Sequence, residues 1–195
     1  MSSSNEKHSR ILRGNGGPVT SAATKEGPLY FLRVFTLIML AVVVQTTIAP
    51  HITVLGAKPD SALVLVVCVA LIRGPVWGAT VGFVTGLLLD VALVQTLGIS
   101  SFLFTLAGYF SGRYGEGADM DSWIPPLITV FISTLVVQLL NAVMMYLLGV
   151  EASVSFVLIR ILLPTAILNG LLTPPLFVAA RWWLGGERMH AFFAE

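Results

Sequence analysis

The sequence predicts an all-α integral membrane protein with about six transmembrane helices in one bundle. Three observations lead there. Apolar residues make up 56% of the 195 positions and charged residues 11%, against about 45–50% and about 25% in soluble domains, and the mean hydropathy is +0.89. The apolar residues are gathered into helix-length runs, with the charges left to the tails and turns. One of those runs carries glycine at every fourth position, Gly74, Gly78, Gly82 and Gly86, with Asp90 one step further in the same register. In lipid there is little hydrophobic drive to associate helices, so small residues let backbones approach and gain dispersion and weak Cα–H···O contacts. In a soluble helix each such glycine costs about 0.8–1 kcal/mol relative to alanine.

Residues 1–28 are polar, rich in Ser, Gly and Thr, and carry Lys7, Arg10, Arg13 and Lys25 without an apolar segment. They read as a disordered basic cytoplasmic tail rather than a signal peptide. A six-helix membrane domain over 29–185 and a short cytoplasmic tail over 186–195 complete the expected organisation.

The first helix is expected from about Tyr30 to Ala49, stopping at Pro50. Its twenty residues rise about 30 Å, the thickness of the hydrocarbon core. The second run, Asp60–Ile72, has thirteen residues between Pro59 and Arg73-Gly74-Pro75. At about 20 Å it is too short for a straight crossing unless the bilayer thins or the preceding loop dips in. Asp60, with Ser61 behind it, has the chemistry of its N-cap.

The glycine helix follows, from Pro75 to about Leu93, with proline in the first turn where its missing N–H is harmless. Gly98 opens a fourth helix, about Ile99–Tyr114, with Ser101, Thr105, Gly108 and Gly112 as a second small-residue face. Two such faces joined by a short turn predict a tight antiparallel hairpin. A fifth helix is expected over about Trp123–Leu148, carrying Gln138 and Asn141. The sixth, about Ser155–Leu184, is interrupted by Pro164, Asn169-Gly170 and Pro174-Pro175 and ends in Trp182-Trp183, a pair suited to the membrane interface.

With the N-terminus inside and six crossings, nine Lys and Arg residues fall on the cytoplasmic side and two, Lys58 and Arg160, outside. The count places both termini in the cytoplasm. Asp90 then sits about 22 Å along its helix, where an acid needs a partner. Three readings stand: an ion pair with Arg160, capping of the Gly98 turn or contact with interfacial water, and a transport or proton-relay role. Gln138, Asn141 and Asn169 either bond across helices or line a ligand cavity. There is no Ser/His/Asp set, no metal-ligand spacing, no phosphate loop and no paired carboxylates at catalytic spacing. The sequence therefore predicts no enzyme, cofactor or metal, and with a net charge of +1 whose members sit in the tails and turns, neither a nucleic-acid partner nor an acidic ligand is expected. Cys68, alone in an apolar run, reads as packing.

An ordered set of short motifs goes further. Lys58-Pro59-Asp60 leads into an apolar run, followed by Arg73-Gly74-Pro75, the Gly82-Phe83-Val84-Thr85-Gly86-Leu87-Leu88-Leu89-Asp90 stretch, Leu97-Gly98, and Gly108-Tyr109 with Gly112-Arg113. This resembles the MreD family of bacterial rod-shape determination. The resemblance implies a non-enzymatic scaffold of the cell-wall elongation machinery in the bacterial inner membrane. Its implied partners are the membrane helix of MreC, the actin-like MreB, and RodA with its partner transpeptidase, and a homodimer is a further expectation. It also implies a fold similar to the substrate-binding subunits of energy-coupling-factor vitamin transporters, and that kinship supplies the alternative function. The first helix has Gln45 four residues after Ala41, so it lacks the Ala-x-x-x-Ala face those subunits commonly use for docking.

Overall fold

The computed structural model describes residues 28–47, 58–94, 96–117, 124–149 and 162–184. They form six α-helices and no strand: α1 Pro28–Thr47, α2 Ser61–Arg73, α3 Pro75–Ala92, α4 Ile99–Gly115, α5 Ile124–Leu147 and α6 Leu163–Leu184. The expected tails, the loop around Pro50 and the Ser155–Arg160 part of the sixth helix lie outside the described residues. α3, α5 and α6 are long and apolar enough to cross a bilayer.

The short helix is the centre of the bundle. Every residue of α2 from Ser61 to Leu71 is buried, and α2 packs against all five other helices. A helix that is apolar all round is stable only when enclosed all round. Its thirteen residues therefore do not have to match the bilayer, because its neighbours face the lipid. α1, α5 and α6 turn large apolar side chains outward, among them Phe35, Leu40, Ile132, Leu139, Ile167 and Leu171. This is the expected distribution for a bundle in hydrocarbon rather than in water.

α6 departs from the expectation of a broken helix. It runs continuously through Asn169-Gly170 and Pro174-Pro175, and Pro164 occupies its first turn, where a proline costs nothing. Just before the proline pair, the Thr173 hydroxyl donates to the Asn169 carbonyl at 2.7 Å.

Four of the five described Lys and Arg residues gather at one end of the bundle. Arg73 and Arg181 are in the last turns of α2 and α6, and Arg113 is in the last turn of α4. Arg33 is near the start of α1, which reaches α3 there through a tilted Phe31–Trp77 ring contact at 5.7 Å. Lys58, Asp60 and Asp90 belong to the opposite end, since α2 and α3 run antiparallel from Gly74.

Candidate functional site

Two arrangements stand out, the α3–α4 interface and the bonds that hold the two ends of α2. In the first, glycine is required because backbone meets backbone. A Cβ on Gly78 would stand 2.5 Å from the Ala70 methyl and still nearer the Gly108 carbonyl. On Gly86 it would lie 2.5 Å from the Ser101 Cα, and on Gly112 2.5 Å from the Pro75 Cα. Gly82 faces the Phe104 carbonyl, and Gly108 faces the Gly78 carbonyl. Moving four residues up α3 thus moves four down α4, the register of an antiparallel pair.

Two residues of the expected small-residue faces do something else. A Cβ on Gly74 would meet nothing within 4 Å; this glycine holds φ +92° and ψ −179° between α2 and α3, a conformation reserved for glycine. Thr105 meets the Gly82 position through its backbone amide nitrogen, and its hydroxyl bonds the Ser101 carbonyl of its own helix at 2.6 Å. Because contact is made through backbone, Phe104 can occupy the position opposite Gly82 while its ring packs elsewhere in the core. Residue size alone cannot reveal that.

The remote end of α2 is held by a polar cluster. Asp60 accepts from the Leu63 amide at 3.0 Å, capping the helix, and its own amide donates to Asn169 Oδ1 at 2.8 Å. Asn169 Nδ2 donates to the Thr134 hydroxyl at 3.0 Å, so α2, α5 and α6 are joined in one chain of bonds. Gln45 brings in α1: its Nε2 donates to the Pro59 carbonyl at 3.2 Å, and its Oε1 accepts from the Ser61 hydroxyl at 2.8 Å. At the basic end, Arg73 Nη2 donates to the Leu184 carbonyl at 2.5 Å, placing a cation at the C-terminus of α6, where the helix dipole favours it. A Ser111–Ser133 hydroxyl pair at 3.0 Å links α4 to α5.

Asp90 is buried and serves the turn that follows its own helix. Its Oδ2 accepts from the Gly98 amide at 2.8 Å and its Oδ1 from the Ser100 amide at 3.3 Å. Arg160, the other half of the expected ion pair, lies outside the described residues. The three amides of the sequence reading part company. Asn169 bonds across helices, whereas Gln138 and Asn141 are half-exposed on α5 and bond nothing among the described residues. The interhelix roles of Gln45, Arg73 and Thr134 are what the sequence reading misses. The signals for them are faint: an amide in the last turn of an apolar helix, a cation before Gly-Pro, and a threonine four residues before Gln138.

These contacts position helices against one another. The described residues contain no group of three or more His, Cys, Asp or Glu able to hold a metal. The family model for the rod shape-determining protein MreD matches residues 26–184, a span that includes all six helices. This chain belongs to the MreD family. An MreD protein is a structural membrane protein of rod-shape determination, and that is the role the family assigns here. No curated protein and no solved structure matches the chain, so the likeness to vitamin-transporter subunits remains an expectation of the resemblance alone.

Proposed function

We propose that this MreD protein is a rigid membrane scaffold that binds the transmembrane segment of MreC and, through it, biases peptidoglycan synthesis by the elongation machinery. The observation that carries the reading is the fixing of α2 at both ends, by Asp60–Asn169 at one and Arg73–Leu184 at the other, inside a shell that includes the interlocked α3–α4 hairpin. A bundle held in this way presents its outer apolar faces in a constant geometry, as a docking partner for a single helix must. The gathering of Arg33, Arg73, Arg113 and Arg181 at one end supports an inner-membrane protein with that end, and both termini, in the cytoplasm. MreB, RodA and its transpeptidase are then reached through the assembly, and homodimerisation would use the same outer faces.

A second reading, the substrate-binding subunit of a vitamin transporter, is favoured by one observation: Gln138 and Asn141 are half-exposed amides without partners among the described residues. Purification in mild detergent from cells expressing MreC, followed by mass measurement of the intact complex, separates the two. MreC at fixed stoichiometry supports the scaffold. A lone chain carrying a vitamin-sized molecule overturns it.

A further inference from the structure

The proline pair in α6 leaves backbone acceptors without donors. Proline has no N–H, so Pro174 deprives the Gly170 carbonyl of its i+4 donor. The Leu171 carbonyl loses the donors at both i+3 and i+4, Pro174 and Pro175. The Thr173 hydroxyl does not replace them, because it donates to the Asn169 carbonyl. No side chain among the described residues donates to Gly170 or Leu171. The helix nevertheless continues unbroken to Leu184.

These acceptors face outward at mid-membrane depth. A helix carbonyl points along the axis toward the residues three and four positions on. Leu171 is 75% exposed, and Pro174 and Pro175 are both exposed. Leu171 lies ten residues before Arg181 at the basic end, about 15 Å of helix, or half of a hydrocarbon core of about 30 Å. Acyl chains carry no donor, and a backbone acceptor left unpaired in hydrocarbon is costly. The surface beside it is hollow, since a Cβ on Gly170 would meet only the Leu127 δ-methyl, at 3.8 Å.

The chemistry selects the occupant. At that depth a spanning chain is helical and its own N–H groups are used internally. The donor is therefore a side chain, a Ser or Thr hydroxyl or an Asn or Gln amide. A second copy of this chain does not bring its unpartnered amides to this level. The Asn169–Thr134 bond aligns α6 with α5; Gln138 and Asn141 lie one to two turns from it toward the remote end, and Leu171 two residues toward the basic end. The nearer amide, Gln138, is thus about 9 Å away in depth, and a two-fold axis along the membrane normal preserves that offset.

We propose that the outer face of α6 around Gly170, Leu171 and Pro175 is the docking site for the partner's transmembrane helix, which seats a hydroxyl or amide side chain against the Leu171 carbonyl. The proposal rests on the scaffold reading and names the face that reading uses.

The test uses the full chain expressed together with MreC. The photo-crosslinking residue p-benzoylphenylalanine is placed at Ile167, Leu171 or Val178 on the outer face of α6, or at the exposed Phe102 or Phe110 of α4. MreC adducts should form from the α6 positions and not from α4. MreC adducts from α4 alone, or adducts between two copies of this chain from α6, would overturn the docking site and leave the scaffold reading standing. Failure of MreC to co-purify with the unaltered chain would remove both. Pro175→Ala gives the Leu171 carbonyl an internal N–H donor, so MreC recovery should fall severalfold while the unfolding temperature of the isolated chain holds or rises. Gly170→Leu fills the hollow and should lower recovery as well. Unchanged recovery in both variants would overturn the proposal.

Discussion

At the scale of single residues, position decides what a common residue type is for. Gly82 and Gly74 are both glycines of the same fourfold row, yet one is required by its neighbour and the other by its own backbone. Gly82→Ala drives a methyl into the Phe104 carbonyl, and since a backbone atom cannot rotate away, the loss should be about 1–3 kcal/mol or more. Gly74→Ala meets open space, so its cost, again about 1–3 kcal/mol, should come wholly from the forbidden φ and ψ. Thermal unfolding in detergent, with Gly117→Ala as the unhindered control, compares the two; a silent Gly82→Ala would mean that the hairpin relaxes. Asp90→Ala removes two amide bonds to a buried carboxylate and should cost about 3 kcal/mol. Asp90→Asn keeps one acceptor oxygen and should cost visibly less.

At the scale of elements, the helices are joined by a few polar bonds set in apolar surfaces. The link from Asp60 through Asn169 to Thr134 connects α2, α6 and α5. A double-mutant cycle of Asn169→Leu with Thr134→Val should return a coupling of about 0.6 kcal/mol, reaching about 1.7 if the bond is well shielded. Additive single effects would show that the two side chains act separately. Asp60 as a helix cap is legible in the sequence because its determinant is local: a short acid directly before an apolar run. The bonds from Gln45 and Asn169 to that cap are not legible. They link residues 14 and 109 positions apart, and nothing in either neighbourhood encodes the distance. The continuity of α6 through Pro174-Pro175 is hidden for a related reason, because a proline pair stops an isolated helix while packed neighbours can keep it whole.

At the scale of the whole molecule, a short buried helix and a lipid-facing shell should respond differently to the same substitution. Leu63→Ala in α2 leaves a cavity that packed helices cannot close and should cost about 2–5 kcal/mol, whereas Leu139→Ala on the outer face of α5 should cost little because lipid fills the space. Equal losses in unfolding measurements would contradict the central place of α2. The sequence by itself determined the all-helical membrane character, the approximate spans of α1 to α5, the antiparallel glycine hairpin and the family, since all of these rest on composition, short-range periodicity and ordered local motifs. Only the tertiary structure decided that the thirteen-residue run is the enclosed core rather than a failed crossing, that Gly74 is a hinge between helices, and that Asp90 bonds the amides of its own turn. Each of these depends on which surfaces meet across the bundle, and in lipid that choice follows from shape and from a few hydrogen bonds rather than from an apolar pattern that every helix shares.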